Sequence, residues 1–211
     1  MSFWDKIRGS AFVAFAAVLF GCAPLLAESS RPIEVGIPTT AFNFVSATQM
    51  QTEWCWAASV QMVLNWYDIP VKQSQVVERV YGKTVDAAAS ENEIASAMNG
   101  IALDRRGRKV HLHTVRYTGI PAVSVLVSEM QQKHPLLITF RSSKKMLHAV
   151  VLTSAEYTQT EQGIHVTSLT FRDPNPTFHD RYEAGAIRVS GEKLNEFVQS
   201  ISSYYLVSLK Y

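Results

Sequence analysis

An α+β fold is predicted by three observations. Helical patterning fills the chain from about residue 54 to residue 98, and strand-like segments rich in β-branched residues dominate from residue 110 onward. The segment Trp54–Tyr67 is apolar nearly all round, with Ser59, Gln61 and Asn65 as its polar interior positions, so it reads as a buried helix. The composition is that of an ordinary globular domain: 211 residues, 47% hydrophobic and 18% charged, enough for one real core. Helices first and strands later imply two lobes of differing character, with the buried helix packed against an antiparallel β-rich lobe.

Taken in order, residues 28–48 read as an extended lead-in with Pro32, Pro38 and scattered Thr and Ser. Thr52 is placed as N-cap of the buried helix, and Asp68-Ile-Pro70 ends it. Residues 71–81 and 90–98 read as two shorter helices, with Asn99-Gly100 as a stop. A basic loop, Asp104–Lys109, follows. Val110–Tyr117 then alternates like a strand, and Pro121–Lys133 reads as a helix. Leu136–Phe140, Leu147–Thr153, Ile164–Phe171 and Ala186–Val189 read as strands. Glu192–Ile201 is a helix and Tyr204–Leu209 a last strand.

The N-terminus has a separate layout. Lys6 and Arg8 precede an uncharged run from Ala11 to Ala27, and Glu28 opens a polar stretch. That is the pattern of a secretory signal, with cleavage after Ala27 and a domain spanning 28–211. In a second reading, Leu19-Phe-Gly-Cys22 resembles a bacterial lipoprotein signal, in which Cys22 is lipidated and becomes the N-terminus. An uncleaved anchor fits less well, because the run is short and is interrupted by Gly21 and Pro24. The expectation is an exported bacterial protein, periplasmic or secreted, that meets the membrane only through a lipid on Cys22. Net charge is +2 and no Lys/Arg stripe with interleaved aromatics is present, which argues against nucleic acid as a partner. Oligomeric state is not legible.

With Cys22 in the targeting segment, Cys55 is the only cysteine of residues 28–211 and has no intramolecular disulfide partner. Small exported domains often rely on disulfides, so a single cysteine is better explained as kept for chemistry. Cys55 opens the buried helix, where unpaired N–H groups and the macrodipole favour a negative sulfur. A thiol nucleophile needs a base, an orienter for that base, and donors for the developing oxyanion. His148 stands at the head of a strand, just after the polar turn Arg141–Lys145. The next strand ends in Phe171-Arg-Asp173-Pro. If the two strands are adjacent and antiparallel, Asp173 comes near His148 and accepts its Nδ1–H. Upstream, the Gln49 amide is a candidate oxyanion donor beside the Cys55 N–H.

Gln-x5-Cys-Trp opening a buried helix, His148-Ala-Val-Val on a strand, and Asp173-Pro after another strand resemble the papain-like cysteine peptidases. Trp54-Cys-Trp-Ala-Ala-Ser-Val-Gln-Met is similar to the papain-like effector proteases of bacteria, and the sparse downstream part to the bacteriocin-leader-cleaving peptidases. The resemblance runs from Gln49 to Pro174. It implies a papain-like two-lobe fold and hydrolysis of a peptide or protein substrate through an acyl-enzyme, with no metal or organic cofactor. It further implies Cys55 as nucleophile, His148 as general acid/base, Asp173 as orienter and Gln49 as oxyanion donor. The chain departs from the pattern in places. The stretch from Cys55 to His148 is shorter than the roughly 130–150 residues of papain and the cathepsins. No Asn-Ser-Trp is present; Asp173 takes that place, with Asn175 as a second candidate. The insertions that shape the substrate cleft in larger relatives are absent or different, so substrate preference does not carry over.

Two other functions use the same residues. One is acyl transfer with an amine replacing water, as in transglutaminase-like enzymes. The other is a catalytically silent binding domain that keeps the fold, against which the complete Gln/Cys/His/Asp set stands. Each residue also has a plainer role: Cys55 as a core thiol, His148 as a hydrogen-bonded strand histidine, Asp173 as a turn former before proline. Their order along the chain favours chemistry. Trp54 and Trp56 read as packing groups that wall the site. His111 and His113 share a strand face but lack a third ligand, so they read as solvated rather than metal-binding. Arg105, Arg106, Arg108 and Lys109 read as a solvated loop, and Arg141, Lys144 and Lys145 lie where they could attract acidic substrate segments.

Overall fold

The computed structural model describes residues 31–142, 146–178 and 183–211. The cleavage after Ala27, the lipid on Cys22, and Lys144 and Lys145 lie outside the described residues. The lead-in holds a strand, β1 (Ile33–Gly36), and a single helical turn, α1 (Thr39–Phe42). Three helices follow: α2 (Cys55–Trp66), α3 (Gln73–Tyr81) and α4 (Glu91–Ala97). Next come β2 (Gly100–Leu103), β3 (Lys109–Thr118), α5 (Val123–Gln131) and β4 (Leu136–Arg141). The chain finishes with β5 (Leu147–Thr160), β6 (Gly163–Arg172), β7 (Ala186–Ser190), α6 (Gly191–Ser200) and β8 (Ile201–Lys210).

The strands form one eight-stranded sheet in the order β2-β3-β8-β4-β5-β6-β7, with β1 also pairing β5. Every pairing is antiparallel. On β5, pairing with β4 ends at Leu152, and β1 continues that edge over Ser154–Tyr157. The approach is close: a Cβ on Gly36, which has φ 130°, would sit 2.3 Å from the Thr153 carbonyl oxygen, so only glycine fits.

Alternation along the central strands builds a core on each face of the sheet. Leu137 of β4 and Ala149 and Val151 of β5 join α2, α3 and α4 in one cluster. Their neighbours Leu136, Ile138, Val150 and Leu152 join α5 and α6 in the other. The helix α2 is buried as expected, from Trp56 through Val60 and from Met62 to Leu64. Its interior polar groups find partners: Ser59 Oγ donates to the Ala149 carbonyl at 3.0 Å, and Asn65 Oδ1 accepts from the Val71 N–H at 3.0 Å. A left-handed Asp68 (φ 63°) follows its end, where Asp68-Ile-Pro70 was expected to stop it.

Three expectations are corrected, and one is borne out and extended. Thr52 is not the N-cap; that position is Trp54, with no side-chain cap, because Gln51–Trp54 form a turn of their own. The lead-in is not merely extended, since it contains β1 and α1. Asn99-Gly100 does stop α4, but β2 begins at Gly100 itself, and the Asn99 amide bridges Ala95 of α4 to Thr114 of β3. Finally, β5 continues past Thr153 to Thr160, because β1 and β6 supply partners for its second half. Among the described residues no helix is long and apolar enough to cross a membrane.

Candidate active site

Cys55 is the first residue of α2, partly buried, at a helix start that no side chain caps. The helix packs on β5, whose second residue is His148. On the other edge of β5, Val151 pairs with Arg172, the last residue of β6. The residue after it, Asp173, therefore lies beside the head of β5. Sheet register and helix placement together bring three residues distant in sequence to one point.

His148 Nε2 lies 2.9 Å from Asp173 Oδ1, and Asp173 is buried at 5% exposure. The same oxygen accepts the Asn175 N–H at 2.8 Å. The Cys55 thiol stands beside the imidazole, close enough to favour its protonated form. The ring nitrogen facing Asp173 is thus Nε2, not the Nδ1 expected from the sequence. The ring sits between the start of α2 and the chain leaving β6, and with Nε2 turned to the carboxylate, Nδ1 is left for the thiol. Phe140 stands edge-on to the ring, with centroids 5.5 Å apart at 88°. Burial lowers the ring's pKa, but the hydrogen bond and charge of Asp173, with the Cys55 thiol beside the ring, raise it to about 10. Asn175 does not orient the ring: its Oδ1 accepts the Thr177 N–H at 3.0 Å and shapes the 3-10 turn at Pro176–Phe178.

Gln49 lies in the segment leading to α2, and its N–H donates to the Pro174 carbonyl at 2.8 Å. Its side-chain amide is already engaged. Nε2 donates to the carbonyls of Gln51 at 3.0 Å and Thr52 at 2.8 Å. Both protons therefore brace the turn that presents Cys55, instead of standing ready for an oxyanion.

A cleft of about 200 Å³ opens beside Cys55, lined also by Glu53, Trp56, Ala88, Ala89, Ile94, Met146, Leu147 and Ala149. Trp54 and Trp56 are packing groups, buried at 3% and 2% exposure. Their indole N–H groups donate to the carbonyls of Val85 (2.8 Å) and Ala87 (3.0 Å), which holds the 85–89 segment along the cleft. Sequence reasoning missed this wall. The signals were the run of alanines before α4 and the apolar residues flanking His148. His111 and His113 are both exposed on β3, and no group of three metal-ligating side chains occurs among the described residues. Arg105 and Arg108 are paired, with Asp68 (2.9 Å) and Asp104 (2.7 Å) respectively, and Arg141 is exposed.

A sequence model described as the Peptidase_C39 like family matches residues 42–200. The chain is similar to the peptidase domain of Streptococcus ComA, a bifunctional ABC transporter involved in a quorum-sensing pathway. That match has 15% identity and a TM-score of 0.53, and covers 78% of this chain and 98% of the other. The chain is also similar to digestive procathepsin L2 proteinase from the larval midgut of Tenebrio molitor, at 14% identity and a TM-score of 0.53, covering 82% and 68%. At such identities these two likenesses carry the fold, which is papain-like. No curated protein matches the sequence.

Proposed function

The chain belongs to the Peptidase_C39 like family and is a papain-like cysteine peptidase, and from that premise we propose that it hydrolyses peptide bonds through Cys55, His148 and Asp173. One observation carries the reading: the Cys55 thiol and the Asp173 carboxylate engage the same imidazole, with the carboxylate at 2.9 Å. A ring bracketed in this way takes the thiol proton at Nδ1, while Asp173 fixes its orientation through Nε2. The thiolate attacks the substrate carbonyl. The Cys55 N–H and its neighbours in the first turn of α2 stabilise the oxyanion. His148 then gives its proton to the departing amine and activates the water that releases the acyl group. Gln49 supports this arrangement by bracing the turn before Cys55. To donate directly it must release the Gln51 or the Thr52 carbonyl.

The reading extends to residues outside the described part. Export through the segment ending at Ala27 predicts a mature protein beginning at Glu28, and the lipoprotein reading predicts one beginning at a lipidated Cys22; the intact mass of the exported protein decides between them. The chemistry is tested by iodoacetamide labelling of Cys55 in the native protein and in His148→Ala. The native thiol should label at least tenfold faster at neutral pH. Equal rates would sink the catalytic pair. Product analysis of a cleaved peptide, with and without an added amine, separates hydrolysis from acyl transfer.

A further inference from the structure

Asp173 serves His148 only if it is held, yet it lies just beyond the last paired residue of β6. Its neighbour Arg172 is fully buried, at 0% exposure, which is rare for an arginine. The Arg172 guanidinium donates to three backbone carbonyls: Glu183, Ala184 at 3.2 Å and Thr39 at 2.7 Å. It also lies over the Phe42 ring, 5.6 Å from the centroid. The next carbonyl along, that of Gly185, accepts the Asp173 N–H at 2.9 Å. Three consecutive carbonyls, 183 to 185, therefore face the Arg172–Asp173 pair. The chain achieves this with Ala184 and Gly185 both left-handed, at φ 46° and 80°. A left-handed alanine persists only where its surroundings over-determine it. Ser46 Oγ adds a further tie to the Ala184 carbonyl, at 2.6 Å. The Thr39 contact anchors the start of α1, from which the chain runs on to Gln49 and its bond to Pro174.

We propose that Arg172 is a positioning residue: its guanidinium clamps the Ala184–Gly185 turn and the start of α1, so that Asp173 stays within hydrogen-bond distance of His148 Nε2. The inference rests on the reading of His148 as the base and Asp173 as its orienter. Only a planar fork spans three carbonyls at once; a lysine ammonium is a single point charge on a flexible stem and cannot reproduce the set.

The test compares wild type, Arg172→Lys, Arg172→Met and Asp173→Asn, with folding checked by near-UV circular dichroism. Two quantities are read: the NMR titration midpoint of the His148 ring, and the iodoacetamide labelling rate of Cys55 at neutral pH. In the folded Arg172 variants the midpoint should fall from about 10 toward the ordinary 6.5. Labelling should slow with it, toward the rate of His148→Ala. A purely structural role would lower thermal stability and leave both readouts in place in the folded protein, and that result overturns the proposal. Loss of the fold in both Arg172 variants overturns it as well. If Asp173→Asn itself leaves the ring unmoved, the catalytic reading fails. If Asp173→Asn moves the ring and the Arg172 variants do not, only the clamp fails.

Discussion

The ring of His148 is where burial and charge oppose each other. Burial favours the neutral imidazole, and two partners, Asp173 and Cys55, favour the cation and prevail. Its midpoint is raised in the fold, so its contribution to stability is present below 6.5 and is lost as pH rises through about 10. Cys55→Ala removes one partner and keeps the other, so the ring should titrate between those limits, and the alkaline fall in stability should shift to lower pH with it. NMR titration beside urea unfolding at several pH values checks this; a ring in Cys55→Ala that still titrates at the wild-type value would remove the thiol from the account. At this scale the sequence singled out residues that the fold brings together and was blind to their orientation. Cys55, His148 and Asp173 are recognisable from local context, because each stands at a defined point of its helix or strand. Which imidazole nitrogen meets the carboxylate depends on a ring rotation set by α2 and β6 together. The engagement of the Gln49 amide by two carbonyls of its own turn depends on backbone angles that no residue type specifies.

The same contrast separates the elements. Long segments with a strong pattern, such as α2, β3, α5, β4, β6 and α6, were readable within a residue or two at most ends. The two shortest strands, β1 and β2, were not. Within β1 and β2 each strand is four residues long and partly exposed, so neither carries enough alternation to be distinguished from a loop. The second half of β5, with Ser154, Glu156 and Thr158 among its residues, looks like the end of a strand until β1 and β6 are seen to flank it. Gly36 shows how tightly that junction is made. Replacing it by alanine puts a methyl group 2.3 Å from the Thr153 carbonyl oxygen at a φ of 130° that alanine avoids. Gly36→Ala should therefore detach β1 from β5. Hydrogen exchange should lose protection at Glu34, Val35 and their partners on β5, while β4 and β8 keep theirs. Protection unchanged at β1 would mean that the close approach is relieved by a small shift, and that β1 is not dependent on a bare backbone there.

At the scale of the molecule, one sheet serves two cores, and the proposed site draws on both: Cys55 packs with the α2 cluster, while the His148 ring stands edge-on to Phe140, which packs against the α5 and α6 cluster. Adjacent residues of β4 make the division testable. Leu137 faces α2 and is fully buried in that cluster; Ile138 faces the α5 and α6 side and is equally buried. Truncating either to alanine removes a similar volume and should lower stability by about 2–5 kcal/mol. Because both side chains stand on one strand of a shared sheet, each variant should still unfold in a single transition, read alike by circular dichroism and tryptophan fluorescence. Their effects on chemistry should differ. Leu137→Ala opens space on the face of the sheet where α2 packs, so the meeting of Cys55 with His148 is disturbed and iodoacetamide labelling at neutral pH should slow. Ile138→Ala opens space on the face of Phe140, two residues further along β4, and leaves α2 untouched, so in the folded protein labelling should slow less than in Leu137→Ala. Two separate transitions would mean that the faces fold as independent units. Equal slowing in both variants would mean that support of the His148 ring from the α5 and α6 face matters as much as the packing of α2 behind Cys55.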